Sequence, residues 1–80
     1  MITKKICINT IEKVKDFVQD MSRVEVPADL SNTGRRYVVD AKSILGILSL
    51  DISHPMDLSI YDDETNADKY RKIFEKYKED

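Results

Sequence analysis

Val39-Asp40-Ala41-Lys42-Ser43-Ile44-Leu45-Gly46-Ile47-Leu48-Ser49-Leu50 holds three structural signals in one short run. Val39 and Asp40 read as the end of a strand. Ser43 is placed as a helix N-cap, because its hydroxyl can accept from a free N–H of the first turn. Ile44 to Leu50 then reads as a short helix, apolar on nearly every side. So short a helix cannot hide that much apolar surface beneath itself. Part of it must face a core and part must be offered outward. Helical spacing divides the side chains: Ile44 and Leu48 are neighbours, whereas Ile47 lies on another side.

Upstream, Arg35 to Asp40 carries Tyr37, Val38 and Val39 and is expected as a strand. Ser31-Asn32-Thr33-Gly34 is a turn signal. Before it, Val24, Val26, Ala28 and Leu30 alternate as in a strand. Pro27 counts against a central position, since it cannot donate to a ladder. The two strands read as a hairpin. Ile2, Ile6 and Ile8 alternate in a first, half-buried strand, interrupted by Lys4. Asn9 with Glu12 three residues on forms a capping-box pattern. Ile11, Val14, Phe17, Val18 and Met21 follow at helical spacing, which predicts an amphipathic helix near residues 10–22. Downstream, Asp51 to Pro55 reads as a loop, and Met56, Leu58 and Ile60 alternate in a last strand. Thr65 and Asp68 are placed as a cap. Ala67, Tyr70, Ile73, Phe74 and Tyr77 form the stripe of a C-terminal helix, with Lys76 and Lys78 near its end complementing the dipole.

The order is therefore βαββαβα, an α+β arrangement. Each helix has one apolar stripe, so one sheet covered by helices on a single face is the natural packing. The open sheet face should then be polar. Eighty residues make one domain, residues 1–80. Hydrophobic content of 41% and charged content of 35% fit a folded soluble chain rather than a disordered one. A net charge of −2 gives no general attraction to nucleic acid or anionic membrane. Cys7 is the single cysteine and cannot form an internal disulfide, which suits a reducing cytosol. No apolar run approaches the roughly 20 residues that span a bilayer, and no signal-peptide core is present. The chain reads as cytoplasmic, with no cofactor implied.

The run Ala41-Lys42-Ser43-Ile44-Leu45-Gly46-Ile47-Leu48-Ser49-Leu50 closely resembles the regulatory-serine segment of the HPr family, the small phosphocarriers of the bacterial sugar phosphotransferase system. The element order is also that family's order. The resemblance extends from Gly34 through Tyr61 and is strongest from Val38 to Leu50. It implies an HPr-like open-faced sandwich, with a four-stranded antiparallel sheet in the order 1-4-2-3 and three helices on one face. It further implies that Ile44, Leu45 and Leu48 are exposed docking residues, while Ile47 and Leu50 face the core.

HPr proteins accept a phosphoryl group on a histidine just before the first helix, in a Gly-x-His-Ala-Arg-Pro-like motif. That chemistry needs a neutral imidazole nucleophile and helix N–H groups with an arginine to hold the phosphate. Here Cys7-Ile8-Asn9-Thr10 leads directly into Ile11-Glu12-Lys13-Val14, with no histidine, arginine, proline or glycine. An ungapped alignment from Phe17 puts Thr10 in the histidine slot and Glu12 in the arginine slot. A loop shortened by about five residues places the strand better and is preferred. Either way, histidine phosphocarrier chemistry is expected to be lost. The serine is retained. In many Gram-positive bacteria a dedicated kinase phosphorylates the serine that Ser43 matches, and the product serves as corepressor for a carbon-catabolite transcription regulator. Crh-like relatives keep the serine without the histidine. The resemblance thus implies a non-enzymatic regulatory or binding module, phosphorylated on Ser43, with an HPr serine kinase and a catabolite regulator as partners. It implies a monomer or weak homodimer. The alternative is a structural or homo-oligomeric module that uses the fold without any phosphotransferase role.

Other chemistry-bearing residues carry weaker signals. His54 is the only histidine and lies in the loop after the short helix, where a plain surface histidine is the ordinary reading. It has no companions at metal-ligand spacing. Cys7, alternating with Ile6 and Ile8, should point to the other sheet face as a passive thiol. Asp62-Asp63-Glu64 lacks the spacing of a calcium loop and reads as a solvated turn. Tyr37 and Tyr61 with Arg35 and Arg36 are a weak nucleic-acid signal, opposed by the net charge. Asp51 and Ser53-His54-Pro55 stand where the HPr family has a glycine-containing turn, which alters the rim of the docking surface.

Overall fold

Alternation of apolar residues over Ile2–Ile6 (β1), Ala28–Asn32 (β2) and Met56–Ile60 (β4) builds the centre of one antiparallel sheet. The computed structural model, which describes residues 1–78, adds a two-residue edge strand, Val39–Asp40 (β3), and gives the order β1-β4-β2-β3. Three helices complete it: Ile11–Met21 (α1), Ile44–Leu48 (α2) and Arg71–Lys76 (α3), the last preceded by a 3₁₀ segment over Glu64–Tyr70. The element order, the strand order and the single helical layer are those expected from the sequence.

The register fixes which side chains meet the helices. Ile60 lies between Ile2 and Ala28, Leu58 between Lys4 and Leu30, and Met56 between Ile6 and Asn32. Pleating sends the intervening residues to the opposite face. There Ser59 lies between Thr3 and Asp29, and Asp57 between Lys5 and Ser31, so the open face is polar throughout. The Thr3 and Ser59 hydroxyls bond across the strands at 2.9 Å. The Tyr61 hydroxyl donates to Asp29 Oδ2 at 2.5 Å, which raises the phenol's pKa because ionisation would cost that bond. Lys4 belongs by register to the helical face. It reaches outward and places its ammonium 5.5 Å from the centre of the Phe74 ring.

Ile6, Ile8, Val14, Phe17, Met21, Leu30, Ile47, Met56, Leu58 and Ile60 form the fully buried centre of the core. Phe17 meets Tyr77 edge-to-face, with centroids 5.3 Å apart. That geometry adds about 0.5–1.5 kcal/mol beyond area burial. Tyr77 also donates through its hydroxyl to Asp20 Oδ2 at 2.6 Å, and Lys76 Nζ reaches the same oxygen at 2.9 Å. The Tyr77 bond, seconded by Lys76, holds the Asp20 carboxyl below its usual range, while burial and Asp20 push the Tyr77 phenol up.

Several boundaries differ from the sequence reading. The first strand stops at Ile6, so Cys7 is half-buried beyond it and its N–H goes to Tyr77 O at 2.7 Å. Thr10, not Asn9, caps α1, accepting from the Lys13 N–H at 3.1 Å. Ile11 is exposed, because α1 meets the core only from Val14 onward. The second strand begins at Ala28 rather than Val24, although the Pro27 carbonyl still accepts from Tyr61 N. It continues through Ser31 and Asn32, and the turn falls later, with Gly34 at φ 81°. Arg35 to Val38 is an exposed loop rather than strand: none of the four has a buried side chain to hold it on the sheet. Asp63, not Thr65 or Asp68, caps the C-terminal helical segment, accepting from the Thr65 N–H at 2.9 Å.

Candidate functional site

Ser43 occupies the N-cap of α2 with extended backbone angles. Its hydroxyl accepts from Gly46 N–H at 3.1 Å, and its carbonyl accepts from Ile47 N–H at 3.0 Å. The turn that delivers it is fixed by Asp40: the Asp40 carbonyl accepts from Ser43 N–H at 3.0 Å and its carboxylate accepts from Lys42 N–H at 2.9 Å. Lys42 is anchored in turn, its ammonium donating to Val24 O at 2.6 Å. Gly46 lets α2 approach β3, since a Cβ there would stand 3.2 Å from Val39 Cβ and 3.3 Å from Ser43 Oγ. Ser43 itself is partly exposed.

The apolar side chains of α2, with Leu50 just beyond it, divide as expected except at Ile44, which the resemblance placed among the exposed docking residues and which instead packs against the core. Ile47 is fully buried, Ile44 and Leu50 pack half-buried against the core, and Leu45 and Leu48 are 80% and 42% exposed. At the other end of α2, Ser49 Oγ donates to Gly46 O at 2.5 Å. The Tyr37 hydroxyl lies 3.4 Å from Ser49 Oγ, which ties an exposed ring to the residue that follows Leu48. The sequence reading had not joined Tyr37 to this surface. No periodicity marks it, because its loop carries no regular structure.

The loop after α2 is built by side chains. Asn32 clamps it with two bonds, Nδ2 donating to Asp51 O at 2.8 Å and Oδ1 accepting from Asp51 N at 3.0 Å. Asp51 Oδ1 accepts from both the N–H and the hydroxyl of Ser53. Those two bonds, with a smaller contribution from the charge of His54, lower the Asp51 pKa. The carboxylate thus closes by hydrogen bonds a turn that needs no positive φ. His54 Nε2 lies 3.3 Å from Asp51 Oδ2, and both side chains are mostly exposed. They border a shallow notch of about 410 Å³ with Lys5, Asn32, Thr33, Arg35 and Pro55, and no residue of Cys7–Thr10 or of α1 lines it. Among the described residues no group of three or more His, Cys, Asp or Glu is arranged to hold a metal ion. No helix among them is long and apolar enough to cross a membrane.

A four-stranded antiparallel sheet in the order 1-4-2-3 with helices on one face and a polar opposite face is an open-faced α+β sandwich. More particularly, this chain has the HPr fold. It superposes on HPr-C-His from Thermoanaerobacter tengcongensis with a TM-score of 0.70 and 28% identity, over 92% of this chain and 90% of that one. The phosphocarrier protein HPr from Bacillus anthracis str. Ames matches with a TM-score of 0.68 and 22% identity, over 90% of this chain and 89% of that one. No protein-family model matches the chain, and no curated protein matches it in sequence. The fold resemblance inferred from residues 41–50 is therefore recovered over nearly the whole chain.

Proposed function

We propose that this protein is an HPr-related component of the sugar phosphotransferase system that has given up phosphoryl relay through histidine and acts as a regulatory docking module. The observation that carries the reading is the division of α2, with Ile47 sealed in the core and Leu45 80% exposed beside a partly exposed capping serine. A monomer gains nothing in stability from an exposed leucine, so contiguous exposed apolar side chains mark a contact surface. Leu45 and Leu48 are the exposed part of that surface, with half-buried Ile44 and exposed Tyr37 at its border.

Relay chemistry has no support at the start of α1. Asn9, Thr10, Ile11 and Glu12 offer no imidazole, and the neighbouring cation, Lys13, already donates to Asn9 Oδ1 at 3.3 Å. Glu12 would repel a phosphate. Regulation at Ser43 is supported by its position. A phosphoryl group on Ser43 Oγ would bring about −1.5 to −2 charge to the border of the Leu45–Leu48 surface. That changes which partner can cover it, without dismantling a core residue. The partners that fit are an HPr serine kinase and a carbon-catabolite transcription regulator. The protein would itself be no enzyme and would act in the cytoplasm as one domain.

The test is incubation with ATP and an HPr serine kinase, followed by intact mass and site mapping. The expected result is one phosphate on Ser43, absent from Ser43→Ala. No modification, in a mixture where an ordinary HPr is phosphorylated, would overturn regulation at Ser43. Phosphate uptake from phosphoenolpyruvate and enzyme I would overturn the loss of relay.

A further inference from the structure

A groove of about 570 Å³ runs between the end of α1 with the following connection and the 3₁₀–α3 segment. It takes no part in the α2 surface. Its apolar lining comes from Val24, Val26, Tyr70 and Ile73, and its cations are Arg23, Lys69, Lys72 and Lys76. Three carboxylates also border it, Asp20, Glu25 and Asp62. Two of these are already satisfied within the protein. Asp62 accepts from the Tyr70 hydroxyl, from Asn66 Nδ2 at 2.9 Å and from Asp63 N–H at 2.7 Å. Asp20 is held by Tyr77 and Lys76, with Arg23 only at 4.0 Å. Lys69 and Lys72 are exposed and make no ion pair with the other described residues.

The lysines are aligned. Lys69, Lys72 and Lys76 lie at i, i+3 and i+7 along one wall. With rises of about 2.0 Å in 3₁₀ and 1.5 Å in α-helix, that wall spans roughly 11 Å. An extended chain covers such a length in three to four residues at about 3.3 Å each. Alternate side chains of an extended strand fall on one side, about 6.6 Å apart. Lys69 and Lys72 stand about 5 Å apart along the axis by the same rises. The seven-residue 3₁₀ segment is itself longer than such segments usually run, and it is the element that presents Lys69.

We infer that this groove docks an extended acidic segment of a protein partner, with acidic side chains at alternate positions meeting Lys69, Lys72 and Arg23 and an intervening apolar residue resting on Val24, Val26 and Ile73. Glu25 and Asp62 both oppose such a ligand, since the partners of Asp62 are neutral donors that leave its charge in place near Lys69. The site is separate from the α2 surface, so it stands or falls independently of regulation at Ser43.

The probe is an acetylated, amidated pentapeptide alternating glutamate with leucine, titrated into the full-length protein by amide NMR. Its glutamine–leucine counterpart is the neutral control. The expected result is saturable shifts confined to residues 23–26 and 69–73, weakened by added salt. The double variant Lys69→Gln/Lys72→Gln should keep the native spectrum and bind about five-fold more weakly, as expected for two exposed charge contacts. Glu25→Gln should tighten binding. Equal affinity for the glutamine peptide, undiminished binding by the double variant, shifts centred on α2, or no saturable shift at all would each overturn the assignment.

Discussion

Helices α1 and α2 both carry large apolar side chains, in one stripe on α1 and on nearly every side of α2, yet they use them in opposite ways. Val14, Phe17 and Met21 of α1 are all fully buried. Of α2 only Ile47 is, and Leu45 and Leu48 stay in solvent. The reason is length. Eleven residues make three turns, and a stripe at i, i+3 and i+7 lies along the sheet from end to end. Five residues make little more than one turn, which seats one side chain and leaves its neighbours outside. Apolar density therefore measures core contribution in α1 and available contact surface in α2.

The sharpest way to break this comparison is to cut each helix at a fully buried side chain. Phe17→Ala removes a ring that touches Tyr77 edge-to-face and leaves a cavity at the centre of the core. The expected loss is about 3–5 kcal/mol, enough to unfold much of a domain this small at 37 °C. Ile47→Ala should cost less, about 2–3 kcal/mol, because a five-residue helix near the surface can settle into the space. Urea unfolding of both variants reads the difference. Equal losses would mean that α2 anchors the core as firmly as α1.

The helices are also tied down by different chemistry. α1 is linked to the C-terminal end of α3 by Asp20, which accepts from Tyr77 and Lys76. α2 is held at its ends by neutral hydroxyl contacts, Ser43 to Gly46 and Tyr37 to Ser49. The Asp20 carboxyl is depressed from 3.8 in the folded protein, so the unfolded chain takes up the proton first. The link contributes fully above the unfolded value, and the contribution is lost as pH falls through the folded one. Tyr77 is raised above 10.0, so its share is present below pH 10 and lost as pH rises beyond it. Thermal melts from pH 2.5 to 11 should therefore decline at both ends. Asp20→Asn should make the acid limb, which Asp51, Asp62 and Asp63 share, less steep, and Tyr77→Phe should do the same to the alkaline limb, which Tyr70 and Tyr61 share. An unchanged acid limb in Asp20→Asn would remove the charged tether from the comparison.

Much of this was legible in the residues. The strands of the sheet centre were marked by period-two alternation, and α1 by its stripe. Ser43 was visible as a cap because the helix after it is unambiguous. The misplacements have a common physical cause. Arg35 to Val38 has strand-forming composition, but no side chain of that run reaches the core, and strand preference without burial does not hold an edge. Asn9 and Thr10 are both competent caps, and only the backbone angle at Thr10 selects between them. Lys4 broke the alternation of β1 because an edge strand can let a lysine lie over Phe74 and still reach water. The groove beside Lys69 and Lys72 was not visible, since its walls come from residues 20–26 and 62–76 and meet only in the folded chain.

The smallest effect on stability is the most telling for function. Leu45→Ser/Leu48→Ser removes two large apolar side chains from α2, yet neither is buried. Surface replacements away from the core change stability by about 0.5 kcal/mol or less, so the melting curve should barely move. Ser43 keeps its cap, because neither leucine contributes to it. The same double variant, phosphorylated on Ser43, should bind a carbon-catabolite regulator at least ten-fold more weakly than the parent, since central apolar side chains dominate docking energy. An unmoved melt with lost binding places the contact surface on the outer side of α2. A drop of more than about 1 kcal/mol would instead mean that Leu48 supports the fold, and α2 would then differ from α1 only in degree.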